Sequence, residues 1–221
     1  MKESRPCLAR LLSSRFPFQI TKTRMSRRSI RLVASLAVAV GTLPAAEPGT
    51  TGPQPKPAFR FRDTEYFHRW SANDQHEFTP QNQEDLEKWV DMITVNGYPD
   101  AEDGNSLAEM ANAVLENYKN HQAKVLKTDS VPRTAERPAE HFIAVLFTRP
   151  QFIEVAFARF KLTDGMGCSL VYSHRIYGEK MGDQMNAWLS ANGAVVEKAL
   201  MEWNSMPSAA ALKKDLLRTK S

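Results

Sequence analysis

HFIAVLFTRPQFIEVAFARFKLTDGMGCSLVYSHRIY, residues 141–177, is the stretch whose reading decides the fold. Three runs rich in β-branched and aromatic residues stand at about 141–148, 152–161 and 168–177. Arg149-Pro150-Gln151 joins the first two, and Thr163 to Gly167 joins the last two. Joins this short force antiparallel neighbours, because a parallel return needs about a dozen residues or more. The first run is apolar on both faces: Phe142, Ala144 and Leu146 alternate with Ile143, Val145 and Phe147. That predicts a central strand covered on both sides. Asp164-Gly165-Met166-Gly167 reads as a hairpin turn with positive φ at Gly165 or Gly167.

Upstream, Phe59 and Phe61 alternate with Arg60 and Arg62, a short strand signal. Residues 66–71 and 75–79 flank Asn73-Asp74 and read as a hairpin. Leu86, Trp89 and Val90 fall at helical spacing, with Glu84, Asp85, Glu87 and Lys88 facing outward. Met92 to Val95 either prolongs that helix or forms a strand. Ser106 and Glu109 have capping-box spacing. Leu107, Met110, Ala111, Val114, Leu115 and Tyr118 then make one apolar helical stripe. Residues 124–128 read as an edge strand, followed by a polar loop from Asp129 to Ala139.

Downstream of Gly178 the chain turns helical. Met185, Trp188 and Leu189 suit one amphipathic helix. Val195, Val196, Ala199, Leu200 and Trp203 suit a second, or its continuation past a break at Asn192-Gly193. The sum is an α+β fold: a mainly antiparallel sheet, built from an N-terminal hairpin and a C-terminal three-strand meander, packed with two to four helices. The expected globular domain is 58–204, with 205–221 as a frayed helix or loose tail.

The N-terminal region carries an address. Met25 to Arg31 is a basic head, Leu32 to Leu43 a short apolar middle, and Pro44-Ala45-Ala46 a small-residue exit. That is the layout of a signal peptide over residues 25–46. A run of about a dozen apolar residues falls short of the roughly 20 that a spanning helix needs, so no permanent membrane anchor is expected. The expected location is periplasmic or secreted. Residues 1–24 read as an over-annotated start or as a transit segment. Arg27-Arg28 leaves Sec and twin-arginine export both open. The Pro, Gly and Thr-rich run 47–57 reads as a flexible linker.

Charge follows the same division. The chain has 29 Lys and Arg against 25 Asp and Glu, and residues 1–46 hold nine of the basic groups and one acidic group. Without the leader the net charge is −4. That removes the clustered positive charge on which nucleic-acid binding rests. Cys7 goes with the leader and leaves Cys168 alone, so the domain holds together without an internal disulfide.

Five histidines, His68, His76, His121, His141 and His174, are the candidates for chemistry. A two-residue turn at Asn73-Asp74 pairs Ser71 with His76 and His68 with Thr79. This points His68 and His76 to opposite faces and argues against a metal site between them. Cys168 and His174 lie six residues apart on one strand, about 20 Å, too far for a thiolate–imidazole pair. Cys168 is expected in the core. There is no Gly-x-Ser-x-Gly elbow, phosphate loop, His-Glu-x-x-His or glycine-rich dinucleotide turn.

Glu84, Asp85, Glu87 and Asp91 read as a solvated helix face. Asp100, Glu102 and Asp103 lack the spacing of a calcium loop. Of the tryptophans, Trp89, Trp188 and Trp203 fall on apolar helical stripes, and Trp70 is the one expected to be exposed. No cofactor or metal is expected.

The sequence supports an exported, non-catalytic domain binding a protein or small molecule through its sheet face or hairpin. The alternatives are a hydrolase using His68, His141 or His174 with a nearby carboxylate, and a self-associating structural subunit.

Overall fold

The computed structural model describes residues 56–218, all within the compact unit Thr51–Ser221. The leader and the run 47–55 lie outside the described residues. Eight strands form one antiparallel sheet: β1 (Phe59–Phe61), β2 (Thr64–Ala72), β3 (Gln75–Pro80), β4 (Asp91–Tyr98), β5 (Lys124–Val131), β6 (Glu140–Thr148), β7 (Phe152–Thr163) and β8 (Met166–Tyr177). The spatial order is β1-β2-β3-β4-β8-β7-β6-β5. Helix α1 (Gly104–Asn120) connects β4 to the far edge strand β5, and α2 (Met181–Glu202) and α3 (Ala209–Arg218) follow β8. The fold is α+β, and its sheet is larger than the hairpin and meander read from the sequence.

Alternation assigns each strand residue to one of two cores. On one face Phe142, Phe157, Leu170, Tyr172, Ile93 and Phe78 pack with Met185, Val196 and Leu200 of α2. On the other, Ile143, Val145, Ala158 and Phe160 pack with Leu107 and Ala111 of α1. The meander forms as expected, and β6 contributes to both cores. It is not central: β5 covers its outer side, and β4 and β8 meet in the middle of the sheet.

Asp164 and Gly165, at φ 55° and 75°, make the two-residue turn between β7 and β8, the geometry that matches strand twist. Gly167 serves a different need. Its N–H donates to Ala101 O at 2.6 Å, and a Cβ there would stand 2.7 Å from the Ala101 Cβ.

Four local readings change, and two open alternatives, at Met92 to Val95 and at Asn192-Gly193, are decided. The stretch containing Leu86, Trp89 and Val90 is not helical, because side chains compete successfully for its backbone. Gln83 Oε1 accepts from Val90 N and Asp91 N, at 2.8 and 2.7 Å, and Asp85 Oδ1 accepts from Glu87 N, a local turn that forestalls a helix. Trp89 is buried beneath the Arg175 guanidinium, 3.9 Å from its ring centre. Met92 to Val95 belongs to β4.

Helix α1 starts earlier than the Ser106–Glu109 box implies. Asp103 is its N-cap, accepting from Asn105 N and Ser106 N, and Ser106 is the reciprocal partner. Helix α2 runs unbroken through Asn192-Gly193. A bulge between His68 and Trp70 shifts the β2–β3 register, so His68 pairs with Phe78, and Thr79 with Phe67. Finally, order continues past Asn204: α3 buries Ala209 and Leu212 in the α2-side core.

One buried cation locks α2 to the sheet. Arg159, 2% exposed, sits on β7. It donates to both Glu140 carboxylate oxygens at 2.7 and 3.0 Å, and to the carbonyls of Leu200 and Trp203, each at 3.0 Å. A cation at a helix C-terminus also meets the favourable end of the dipole.

Candidate functional site

Polar chemistry concentrates in three places, and the three candidate histidines fall one in each. On the hairpin, the bulge turns His68 to the same side as His76. Ser71 Oγ lies 2.7 Å from His68 Nε2 and 2.7 Å from His76 Nδ1. A hydroxyl has one proton to give, so at most one of the two ring nitrogens accepts from it and at least one donates to it. The expectation that these rings point apart is corrected by the extra residue in β2. The pair is bridged by a serine, and among the described residues no group of three or more His, Cys, Asp or Glu side chains could hold a metal ion.

On the α2 face, β4 and β8 pair in a register that sets Asp91 opposite His174. His174 Nδ1–H donates to Asp91 Oδ1 at 2.9 Å, and the Tyr172 hydroxyl donates to the same oxygen at 2.6 Å. The His174 ring stacks on Trp188 with centroids 4.1 Å apart and planes 10° from parallel. Burial alone would raise the Asp91 carboxyl. The hydrogen bonds from His174 and Tyr172 outweigh it and hold the carboxyl below its ordinary range. Burial raises the Tyr172 hydroxyl, and the Asp91 charge raises it further, so it stays a donor. Asp91 Oδ1 thus accepts two hydrogen bonds, one from each of these side chains.

On the α1 face, α1 packs over β6 and β7 and leaves a cleft against the β5 edge. Its volume is about 550 Å³, within the range of about 300–1,000 Å³ typical of small-ligand sites. Ala111, Asn112 and Leu115 form the helix wall, and Thr128, Ser130 and His141 form the strand wall. The register sets Ser130 opposite His141, and Ser130 Oγ is hydrogen-bonded to His141 Nδ1 at 2.9 Å. His141 Nε2 has no hydrogen-bond partner among the described residues. Burial holds the His141 imidazole below its ordinary pKa and therefore neutral at pH 7.

These arrangements limit the chemistry. A serine nucleophile needs an imidazole whose second nitrogen is oriented by another group. His141 lacks that group. His174 has the orienting carboxylate, but its hydrogen bond goes to Asp91 and to no serine, threonine or cysteine among the described residues. His141 lies on the α1 face and His174 on the α2 face, so the sheet separates them. Cys168 is buried, and burial pushes its thiol up to about 11, which leaves it protonated and unreactive.

Two of these groupings escape a sequence reading. Asp91 and His174 are 83 residues apart. The Ser130–His141 pair depends on β5 extending to Val131, into residues read as loop. Among the described residues, no helix is long and apolar enough to cross a membrane.

No curated protein matches the chain. Among solved structures it is similar to a point mutant of protein Mog1, with 13% identity and a TM-score of 0.42 over 63% of this chain and 85% of that one. It is also similar to the Ran-binding protein Mog1p of Saccharomyces cerevisiae, with 14% identity and a TM-score of 0.37 over 63% and 85% of the two chains. For human STARD10 the values are 6% and 0.25, over 63% and 74%. A protein-family model matches residues 53–207, more than half of the sequence, and the chain belongs to that family.

Proposed function

We propose that this chain is an exported, non-catalytic binding domain that takes its ligand in the cleft between α1 and the β5–β6 pair. The observation that carries the reading is the cleft itself: about 550 Å³, with a helix wall of Ala108, Ala111, Leu115 and the Asn112 amide and a hydroxyl- and imidazole-bearing strand wall. Ligand sites are built in this way, a concave surface with a few convergent polar groups that fix orientation. No lysine or arginine lines it, and its one carboxylate, Asp129, is paired with Lys127 at 3.4 Å. The lining therefore suits an uncharged ligand with hydrogen-bonding groups along one side. Export rests on the leader read over residues 25–46.

Native mass spectrometry of the protein recovered from its host tests this. Wild type carries a bound small molecule, and Ala108→Phe, placed on the helix wall of the cleft, loses it while folding normally. A ligand retained by Ala108→Phe would contradict the assignment.

The Asp91–His174 pair supports a second reading, a hydrolase, because a carboxylate orienting an imidazole is half of a nucleophile-activating relay. Hydrolysis of ester or amide substrates that disappears in His174→Ala, and persists in His141→Ala, would favour it.

A further inference from the structure

We propose that the chain pairs with a second copy of itself along β5, antiparallel about a two-fold axis through Thr128, so that two eight-stranded sheets become one continuous sheet. β5 is the last strand in the sheet order, so its outer row of backbone N–H and C=O groups has no strand partner among the described residues. Such a row is a template for a further strand. β5 is also long, eight residues, and mostly exposed.

The side chains of this edge select both partner and register. Residues opposite each other in an antiparallel pair share a face. Two identical strands therefore match faces only when the axis passes through a residue, not between two. Three of the axes through the regular run after the bulge between Val125 and Lys127 set its charged residues against each other. An axis through Lys127 sets Lys127 against Lys127 of the other copy. An axis through Asp129 sets two aspartates face to face. The axis through Thr128 sets Lys127 of each copy opposite Asp129 of the other, twice by symmetry. Opposite charges across a strand pair stabilise it and like charges destabilise it. Charge thus favours one register and penalises the slip to either side.

Lys127 has capacity for this. Its ammonium has three N–H donors, and within the chain it meets Glu197 at 2.6 Å and Asp129 at 3.4 Å. Lysines on an edge ordinarily discourage pairing. Here the acid two residues on converts that deterrent into a selector for the same sequence. The Thr128 axis also keeps Thr128 and Ser130, two residues of each cleft's strand wall, within the paired segment. Each subunit then extends the strand wall of its neighbour's cleft, as an isologous interface requires.

Sedimentation equilibrium of the purified full chain, from micromolar to sub-millimolar concentration, tests the pairing. Wild type is a dimer. Asp129→Lys and Lys127→Asp each weaken association by about tenfold or more, and the double exchange Lys127→Asp with Asp129→Lys restores it. Hydrogen exchange shows the outward-facing, alternate amides within 126–130 gaining protection as concentration rises. A wild type that stays monomeric, a dimer indifferent to the single exchanges, or an edge protected by a different co-purifying polypeptide would each overturn the proposal. A monomeric result leaves ligand binding in the cleft intact, and an empty cleft leaves the dimer intact, so the two readings fail separately.

Discussion

His174 and His141 sit on opposite faces of one sheet, and their surroundings differ in kind. His174 is enclosed: Asp91 takes its N–H, Tyr172 shares the same oxygen, and Trp188 covers its ring. His141 is half satisfied, with Ser130 at one nitrogen and no hydrogen-bond partner among the described residues at the other, on the wall of an open cleft. An imidazole held by a carboxylate and covered by an indole is fixed in place and contributes to the scaffold. One held by a serine alone, on the wall of an open cleft, is placed on the side proposed to meet a ligand. The α2 face is therefore read as scaffold and the α1 face as the binding side.

That contrast predicts that substitutions on the α2 face cost stability, whereas those in the cleft cost binding. The largest effect belongs to Arg159→Ala. Removing the cation strands the Glu140 carboxylate and two helix-end carbonyls, a loss of about 3–5 kcal/mol, readable by urea unfolding. A loss below about 1 kcal/mol would break the scaffold reading.

Asp91→Ala comes next. It leaves the Tyr172 hydroxyl and the His174 N–H without their acceptor, for about 2–3 kcal/mol. The same carboxyl predicts an acid limb. Its folded pKa lies below its unfolded one, so between the two the native state holds fewer protons. Its stabilisation is complete above about pH 4 and is lost as the pH falls through the folded value. Asp91→Asn should flatten that limb in a pH series of unfolding curves.

Gly167→Ala tests the α1 side of the sheet away from the cleft. Its Cβ would meet Ala101 Cβ at 2.7 Å and must displace the segment leading into α1. A loss of about 1–3 kcal/mol is expected, measurable by thermal unfolding, with cleft binding retained.

The smallest stability effect is that of His141→Gln, within about 1 kcal/mol, paired with loss of ligand. Because burial lowers the His141 pKa, protonation opposes folding. Its contribution to stability is present above about pH 6.5 and fades as the pH falls below that toward the folded value. Binding should weaken over the same interval in wild type, and the unfolding free energy of His141→Gln should lack that pH dependence.

How much of this was legible in the sequence depended on range. The meander was readable because alternation and three-residue joins are local properties, and α1 because its stripe runs over three turns. β4 was not, because Met92 to Val95 is too short for its period to decide, and the preceding Leu86, Trp89 and Val90 mimic a helix. Their backbone is captured instead by Gln83, a contact seven residues long that no periodicity reports. The bulge in β2 was equally hidden, since one extra residue reverses every facing assignment beyond it. Candidate site residues were named, but their grouping was not. His174 finds its acid across two strands 83 residues apart, and the role of Arg159 appears only when α2 folds back over β7. The segment of α3 reads as a frayed helix or loose tail because its docking is a tertiary contact: Ala209 fits closely against Gly97, where an added Cβ would stand 3.0 Å away.

The central claim is that the α1-side cleft, and not the Asp91–His174 cluster, meets the ligand. A two-dimensional amide NMR titration of the full chain with a library of small uncharged fragments tests it most directly. The account predicts shift changes gathered at Asn112, Thr128, Ser130 and His141, with Asp91 and His174 unmoved. Shifts gathered at Asp91, Tyr172 and His174, with the cleft residues silent, would contradict it.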